Sequence, residues 1–362
     1  RGRVYRMNGK RAGARARRIP AWGGAFAALF LLSDASARAG DAAAPPQAAV
    51  YGMTFSHREL RGRGLDWRKA LDAADSLGMR FVRIGVYWSD VERSEGRFDF
   101  SELDDLLARL QRKGYKALVT VGMKAPRWPE FYIPPWAFPK THNEKNAEVS
   151  KDPELRKRTL RFIEEAVKHL SPSPAIAAWQ VENEPMDRSG EKRWFIGADF
   201  LAQEADLIRR HDRARRPLVV NCWSDDQLYA SAPWTDGSYA VRNALAIGDI
   251  LGLDVYPRVG KEQVFYKRRT IGLPTRYLGW ARSKGKKAWI VESQAEPWPP
   301  ASYDAEAMGW LVDRHLEQGY KVILLWGFEW WYEKHLRGDD SLWKSVRFLP
   351  LRQTLKQAGK TK

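Results

Sequence analysis

Two glutamates in this chain lie just beyond apolar runs of the kind that form buried strands. Glu184 stands in the triplet Asn183-Glu184-Pro185, shortly after the run 175–181, and Glu292 ends the run 288–291. A carboxyl group at the point where a buried strand meets a loop is partly removed from water, so burial and neighbouring charges can shift its pKa. Two such carboxyls at the same end of one barrel would suit acid/base and nucleophilic chemistry on a glycosidic bond.

The elements that would position these glutamates recur along the chain. An amphipathic helix is followed by a glycine, a short segment with a basic residue, and then an apolar strand. The glycines Gly78 and Gly114 lie 36 residues apart, and Gly285 and Gly319 lie 34 apart. Glycine is favoured at such positions because it closes a helix in the left-handed conformation without a steric penalty. The pattern predicts helices that alternate with strands.

Eight apolar segments are strand candidates. Near-continuous apolar strands between helices are typical of a parallel sheet covered by helices. Eight repeats favour an α/β fold of the closed (β/α)8 TIM-barrel type, as a single domain over residues 49–362, with an open doubly wound sheet as the alternative. The predicted strands are 49–55, 80–86, 116–122, 175–182, 217–221, 249–255, 287–292 and 320–326.

Two helices have further signals. Leucines 103, 106, 107 and 110 follow the helical period. Asp152-Pro153 predicts the start of another helix, because Asp is a good cap and Pro fits the first helical position.

Residues 1–39 have the composition of an export signal. A basic start precedes an apolar stretch of 12 residues at 21–32, and Ala37-Arg38-Ala39 fits a small-x-small cleavage site, with Met7 a candidate for the true start. Twelve apolar residues are few for a membrane span, so cleavage is favoured over a retained anchor. We therefore expect a periplasmic or extracellular protein with no membrane span after cleavage and a short linker at 40–48.

Composition narrows the function classes. The net charge of +17 falls to +9 without residues 1–39, and no dense basic stripe suggests a nucleic-acid partner. The six histidines lack metal-ligand spacing, and the single Cys222 can form neither a zinc site nor an intrachain disulfide. Walker loops and G-x-S-x-G elbows are absent from the sequence. These features fit hydrolysis without a metal or other cofactor.

In a (β/α)8 barrel, the C-terminal ends of the strands form the active-site face. Here those ends carry carboxylates, an Arg, a Tyr and several Trp, and flat aromatic rings suit the apolar faces of sugars. In chain order they are His57, Arg83, Trp88, Trp128, Asn183, Glu184, Trp223, Asp254, Tyr256, Glu292 and Trp326.

The chain resembles the clan A glycoside hydrolases, the (β/α)8 superfamily that includes cellulase-like, mannanase-like and β-galactosidase-like enzymes. The resemblance spans nearly all of residues 50–330. It rests on Val82-Arg83-Ile84, Trp88-Ser89-Asp90-Val91-Glu92 with Gly96-Arg97-Phe98-Asp99-Phe100, Asn183-Glu184-Pro185, Tyr256-Pro257, Glu292 and Trp326.

The resemblance implies a retaining β-glycosidase that acts by double displacement. Glu184 would be the general acid/base and Glu292 the nucleophile, with carboxyls about 5–5.5 Å apart. Arg83 and Tyr256 would hydrogen-bond Glu292 and keep it ionised. Asn183 would hold the sugar 2-hydroxyl, a contact that strengthens in the transition state.

The remaining candidates for substrate binding are aromatic or imidazole side chains. The resemblance implies that Trp326 forms the floor of the sugar subsite. Trp88, Trp128 and His57 are further candidates at strand ends.

Several alternatives stay open at this stage. Glu182 competes with Glu184 for the acid/base role, and Glu296 and Glu329 compete with Glu292. His57 could be a hydrogen-bonded structural residue, and the tryptophans could be core packing. For the protein as a whole, the alternatives are a catalytically silent carbohydrate-binding barrel and a metal-dependent barrel hydrolase.

Overall fold

The computed structural model describes residues 48–223, 238–257, 268–297 and 304–359. The predicted export signal and most of the linker lie outside these ranges. The strands are β1 (Val50–Thr54), β2 (Phe81–Gly85), β3 (Lys116–Val121), β4 (Ile176–Val181), β5 (Leu218–Trp223), β6 (Ile250–Val255), β7 (Lys287–Gln294) and β8 (Val322–Trp326).

The eight strands close into a parallel barrel in chain order, with β8 paired to β1. This confirms the predicted (β/α)8 barrel and contradicts the open-sheet alternative. All predicted strand bounds agree with the observed ones to within two residues.

Helices alternate with these strands in the described part of the chain. Within it, no helix combines the length and apolar character needed to cross a membrane. The α-helices are α1 (His57–Gly62), α2 (Trp67–Ala74), α3 (Trp88–Val91), α4 (Ser101–Arg112), α5 (Pro153–Leu170), α6 (Ala198–His211), α7 (Ser238–Ile247), α8 (Arg268–Ser283), α9 (Ala305–Gln318), α10 (Phe328–Leu336) and α11 (Ser341–Gly359).

The helix patterns read from the sequence correspond to buried faces. All four leucines of the α4 pattern are buried, which places that face of the helix against the barrel. The glycines of the repeated unit lie near helix ends with positive φ, between 65° and 99°. They are Gly78, Gly114, Gly285 and Gly319.

The inside of the barrel is packed, and a register shift brings one glutamate into it. The rings of Phe81 on β2 and Trp289 on β7 lie 5.7 Å apart. Because β2 and β7 are not neighbours, this contact crosses the barrel. Regular alternation from Trp289 would point Val291 inward and Glu292 outward. The pairing of β7 with both neighbouring strands shifts in this region, and Glu292 instead reaches the interior opposite Asp254 of β6.

Helix α5 begins as predicted at Asp152-Pro153. One Asp152 oxygen accepts from the backbone N–H of Leu155 at 2.8 Å. The other accepts from the backbone N–H groups of Lys140 at 2.9 Å and Thr141 at 2.8 Å. Burial alone would raise the pKa of Asp152, but these donors hold it below its ordinary value. The cap therefore also fastens the segment that precedes the helix.

We expect Asp152→Ala to lower the free energy of unfolding by about 1–2 kcal/mol, because the cap and two loop contacts are lost. The lowered pKa means that this contribution is present above the ordinary Asp pKa and disappears as pH falls through the folded-state value. Urea unfolding at pH 7 and at acid pH would measure it. Glu154→Ala, at an exposed position in the same turn, is the matched control. Equal effects of both substitutions would contradict this account.

Candidate active site

Polar side chains from five strands meet inside the upper part of the barrel. They are all buried, and they come from β2, β4, β5, β6 and β7. Arg83 Nε donates to Gln180 Oε1 at 2.8 Å, and Asn221 Nδ2 donates to an Asp254 oxygen at 2.6 Å. The full set is Arg83, Gln180, Asn221, Asp254 and Glu292.

Both oxygens of Glu292 accept hydrogen bonds. The Arg83 guanidinium donates to one oxygen, and the Tyr256 hydroxyl donates to the other. Burial, and then the negative charge of Glu292, raise the pKa of Tyr256 well above its ordinary value, so the hydroxyl keeps its proton and acts as the donor. The structure thus brings Arg83, Tyr256 and Glu292 together, as the sequence predicted.

Arg83 also connects Glu292 to the segment after β4. Its Nη2 donates to the Asn183 side-chain oxygen at 2.5 Å, and Asn221 Nδ2 donates to the same oxygen at 3.0 Å. Two donors on one oxygen fix the orientation of the Asn183 amide. The predicted sugar-binding residue therefore lies beside both catalytic candidates.

Glu184 lies in the same site, on a strained turn. Its φ is 42°, and Glu182 has φ of 57°, a region that costs a residue with a Cβ about 1–2 kcal/mol. The Glu184 N–H donates to Asn221 Oδ1 at 2.8 Å. Burial raises the pKa of Glu184 well above its ordinary value, and the negative charges of Asp254 and Glu292 raise it further. The group is therefore set to remain protonated.

A third carboxyl, Asp254, belongs to this cluster. One oxygen each of Glu184, Asp254 and Glu292 lie within 4.8 Å of one another. The sequence placed Asp254 at a strand end but gave it no role. Its two-residue spacing from Tyr256 puts both side chains on one face of β6, and this was the available signal. Among the described residues, no histidine or cysteine takes part in a comparable three-residue group.

Lys124 was not identified from the sequence. Its fully buried ammonium group donates to the Glu184 carbonyl at 2.7 Å and to the Asp187 carbonyl at 3.3 Å. It follows β3 directly after the apolar Met123, and a lysine in such a setting was the only hint in the sequence. Its role is to hold the backbone that carries Glu184.

Glu182, the competitor of Glu184, makes its hydrogen bonds to the segment that follows β3. Its oxygens accept from the N–H groups of Met123 at 2.8 Å and Lys124 at 2.6 Å. Its carboxyl also hydrogen-bonds that of Glu204 on α6, which requires one of the two to be protonated. A Cβ on Gly122 would lie 2.2 Å from the Glu182 carboxyl carbon, so this packing needs glycine there. The contacts of Glu182 are structural and favour Glu184 as the acid/base.

The competitors of Glu292 form a separate ion-pair cluster. Arg127 donates to Glu296 at 2.7 Å and also to the fully buried Glu329. The Arg127 guanidinium lies 4.1 Å from the centre of the Trp326 ring, a cation–π distance. Both competitors are therefore occupied in holding Arg127 against Trp326.

The aromatic candidates differ in their surroundings. Trp326 is partly exposed and lies 6.4 Å from the Tyr256 ring, beside the carboxyl cluster. Trp128 exposes 64% of its surface on the loop after β3, one residue from Arg127. Trp223, which was not assigned a role, stacks on Tyr256 with ring centres 4.8 Å apart. Sugar binding by Trp326 and Trp128 stays a prediction.

Two candidates lie away from the carboxyl cluster. Trp88 has no exposed surface and stacks on Phe162 of α5, so the proposed sugar platform is corrected to a core residue. His57 begins α1 and is buried against Trp67 and Tyr87, and burial lowers its pKa to about 4. This placement favours the structural alternative for His57.

Part of this chain is similar to known glycoside hydrolases. The family profile of the glycoside hydrolase family 42 β-galactosidases matches residues 61–194. A β-galactosidase of Halorubrum lacusprofundi is 26% identical over 127 residues, which cover 33% of this chain and 18% of that protein. This part of the chain is thus similar to glycosidases of the clan A glycoside hydrolase superfamily.

Solved structures from this superfamily share the fold. A β-galactosidase from Marinomonas ef1 superposes with a TM-score of 0.59 at 15% identity, covering 86% of this chain and 60% of that one. An exo-β-1,4-mannosidase from Opitutaceae bacterium strain TAV5 gives 0.60 at 17% identity, covering 85% and 60%.

The chain spans about a fifth of the length of the curated relatives it matches. The matched segment 61–194 includes Arg83, Asn183 and Glu184 and ends before Glu292. The position of Glu292 is therefore supported by its geometry in the barrel.

The buried Glu182–Glu204 pair predicts a dependence of stability on pH. Burial raises the pKa of Glu182 from 4.5 to about 7 and that of Glu204 well above its ordinary value. Because these pKa values are raised, the native state loses stability as pH increases from about 4.5 through 7. We expect Glu204→Gln to stabilise the protein at pH 8 by on the order of 1 kcal/mol and to have little effect at pH 4.

Thermal unfolding across this pH range would measure the effect. Asp206→Asn, on an exposed position of the same helix, is the control and should show no such pH dependence. A Glu204→Gln variant that is less stable than the parent at pH 8 would contradict the shared-proton description.

Proposed function

We propose that this chain is a retaining β-glycosidase that cleaves β-glycosidic bonds of an oligo- or polysaccharide, with Glu184 as acid/base and Glu292 as nucleophile. The observation that carries the proposal is the approach of their oxygens to within 4.8 Å at one mouth of the barrel. Retaining enzymes place the two carboxyl groups about 5–5.5 Å apart, whereas inverting enzymes leave about 6.5–9.5 Å for a water molecule. The short separation supports double displacement.

In the first step, a Glu292 oxygen attacks the anomeric carbon while the glycosidic bond breaks. Glu184, kept protonated by burial and by its negative neighbours, gives its proton to the departing oxygen. Arg83 and Tyr256 hold the two Glu292 oxygens, so the nucleophile is oriented before the substrate arrives.

In the second step, water replaces the enzyme at the anomeric carbon. The glycosyl ester removes the charge of Glu292, which is one of the causes of the raised pKa of Glu184. Glu184 is then a better base for the proton that the attacking water releases. Hydrolysis of the ester restores both carboxyl groups to their starting states.

Asn183 and Trp326 would bind the sugar beside these groups. Because two donors fix the Asn183 oxygen, its NH2 group would meet the sugar 2-hydroxyl. Arg127 covers one face of Trp326, which leaves the sugar to approach the ring from elsewhere. Trp128, on the neighbouring loop, would contact a more distant sugar unit.

The family profile favours β-galactosides as the first substrates to test. The fold alone does not select the sugar, since a mannosidase superposes equally well. A silent carbohydrate-binding barrel is less favoured, because a binding protein has no need of an acid whose pKa is raised by burial and by neighbouring carboxylates. The export of this protein and its action on extracytoplasmic carbohydrate stay proposals that rest on residues 1–39.

We expect Glu292→Gln to reduce turnover of an aryl β-galactoside by at least about 1,000-fold, since the nucleophile is removed. Glu296→Gln is the matched control and should retain turnover. In the unaltered protein, a 2-deoxy-2-fluoro-β-galactoside should label Glu292, as shown by mass spectrometry of the digested protein. Label on Glu296 or Glu329, or full activity of Glu292→Gln, would overturn the assignment.

We expect Glu184→Ala to slow substrates with poor leaving groups far more than activated aryl glycosides, because only the former need a proton. Azide should partly restore the rate by replacing water as the attacking nucleophile, giving a β-glycosyl azide. Glu182→Gln is the control and should change thermal stability without this leaving-group dependence. Equal losses on both substrate types without azide rescue would assign the acid/base role elsewhere.

A further inference from the structure

The carboxyl groups of Asp254 and Glu184 are each only partly hydrogen-bonded. Each carboxyl is more than nine-tenths buried, and each has one oxygen, Asp254 Oδ1 and Glu184 Oε1, that receives no donor from the described residues. An oxygen of each carboxyl lies within 4.8 Å of an oxygen of the other. Burial and then the negative charge of Glu292 raise the pKa of Asp254 well above its ordinary value, whereas hydrogen bonding to Glu184 opposes that rise. A hydrogen bond between two carboxyls requires one proton between them.

We propose that Asp254 is a positioning residue for the acid/base, which holds the Glu184 proton in a shared hydrogen bond and returns it to the same place after each turnover. The inference rests on the proposed function, and it names a role that the two-glutamate mechanism leaves unassigned.

Asn221 fixes the geometry of the pair. Its Nδ2 donates to the second Asp254 oxygen at 2.6 Å, and its Oδ1 accepts from the Glu184 N–H at 2.8 Å. The Asn221 side chain on β5 therefore fixes the position of the Asp254 carboxyl on β6 and of the backbone that carries Glu184. Asp254 Oδ1 and Glu184 Oε1 receive no donor from these contacts.

The charges around the pair also favour retention of one proton. Three carboxyls stand against the single guanidinium of Arg83, and like charges in a buried site cannot all ionise. Lys124 donates to backbone carbonyls after β4 instead of to these carboxyls. The titratable groups that act on the pair are Arg83, Lys124, Glu130, Cys222, Tyr256 and Glu292.

The number of protons and the net charge of these groups are accounted for in both chemical steps. Before reaction, Arg83 carries one positive charge, Glu292 and Asp254 are ionised and Glu184 is protonated, which gives a net charge of −1 in this scheme. In the glycosyl-enzyme, Glu292 is an ester and Glu184 has given up its proton, so the net charge is again −1. Water then supplies the proton that returns to the Glu184–Asp254 pair as Glu292 is released.

The test is the pH dependence of kcat/KM for Asp254→Asn with an unactivated β-glycoside. Removing the negative charge beside Glu184 lowers the pKa of the acid, so the alkaline limb should move to lower pH by about 1 unit or more. Asp187→Asn is the matched control, because Asp187 is also an acid after β4, half-buried, but accepts from the Trp223 N–H. Its alkaline limb should stay where it is in the unaltered protein.

An Asp254→Asn protein that is folded and active with an unshifted alkaline limb would overturn the proposal. Activity that EDTA abolishes and a divalent cation restores would also overturn it, since the carboxyls would then serve a metal ion. If Asp254→Asn does not fold, Asp254→Ser removes the charge, keeps a hydrogen-bonding oxygen and should give the same shift. Failure of both to fold, while Asp187→Asn folds, would make Asp254 a structural residue and contradict the proposal.

These outcomes are separate from those for the proposed function. If the unaltered protein hydrolyses no β-glycoside and its Glu292 is not labelled, the proposed function fails. If it is active and labelled at Glu292, an unshifted limb in Asp254→Asn rejects only the role of Asp254.

Discussion

The buried guanidinium of Arg83 connects the parts of this site. It donates to Gln180 on β4, to Asn183 after β4 and to Glu292 on β7, so one side chain of β2 spans the barrel interior. A buried cation is tolerated only when its donors are satisfied and its charge is balanced. The site therefore requires at least one carboxylate beside Arg83, and Glu292 meets that requirement in the resting protein. Gln180 and Asn183 are arranged around this Arg83–Glu292 pair, because Arg83 also donates to them.

The segment after β4 is held by a different set of contacts. Lys124 and Asn221 bind the backbone around Glu184, while the Glu182–Glu204 pair binds the end of β3. These contacts offset the cost of two left-handed glutamates. The geometry of the proposed site and the stability of the fold thus depend on neighbouring but distinct acidic groups, two residues apart in sequence. This separation explains why Glu182 resembled a catalytic residue in sequence and has a structural role in the fold.

The sequence predicted the barrel well because its signals are local. Helix-closing glycines, the Asp152 cap and eight apolar runs each act within a few residues. The contacts of Glu292 with Arg83 and Tyr256 were also foreseen through the superfamily pattern. The roles of Lys124 and Asp254, and the burial of Trp88, depend on residues far apart in the chain. Periodicity cannot show whether a tryptophan at a strand end turns toward the mouth or into the helical layer, and Trp88 turned toward Phe162.

The irregular pairing of β7 has a consequence for how such barrels evolve. Glu292 faces inward because the strand takes a three-residue step from Trp289 instead of two. Loss of a single residue within this step would leave the glutamate two positions after Trp289, where ordinary alternation already points a side chain inward. Strand β7 therefore tolerates a difference of one residue in length at this step and still presents the carboxylate to the barrel interior.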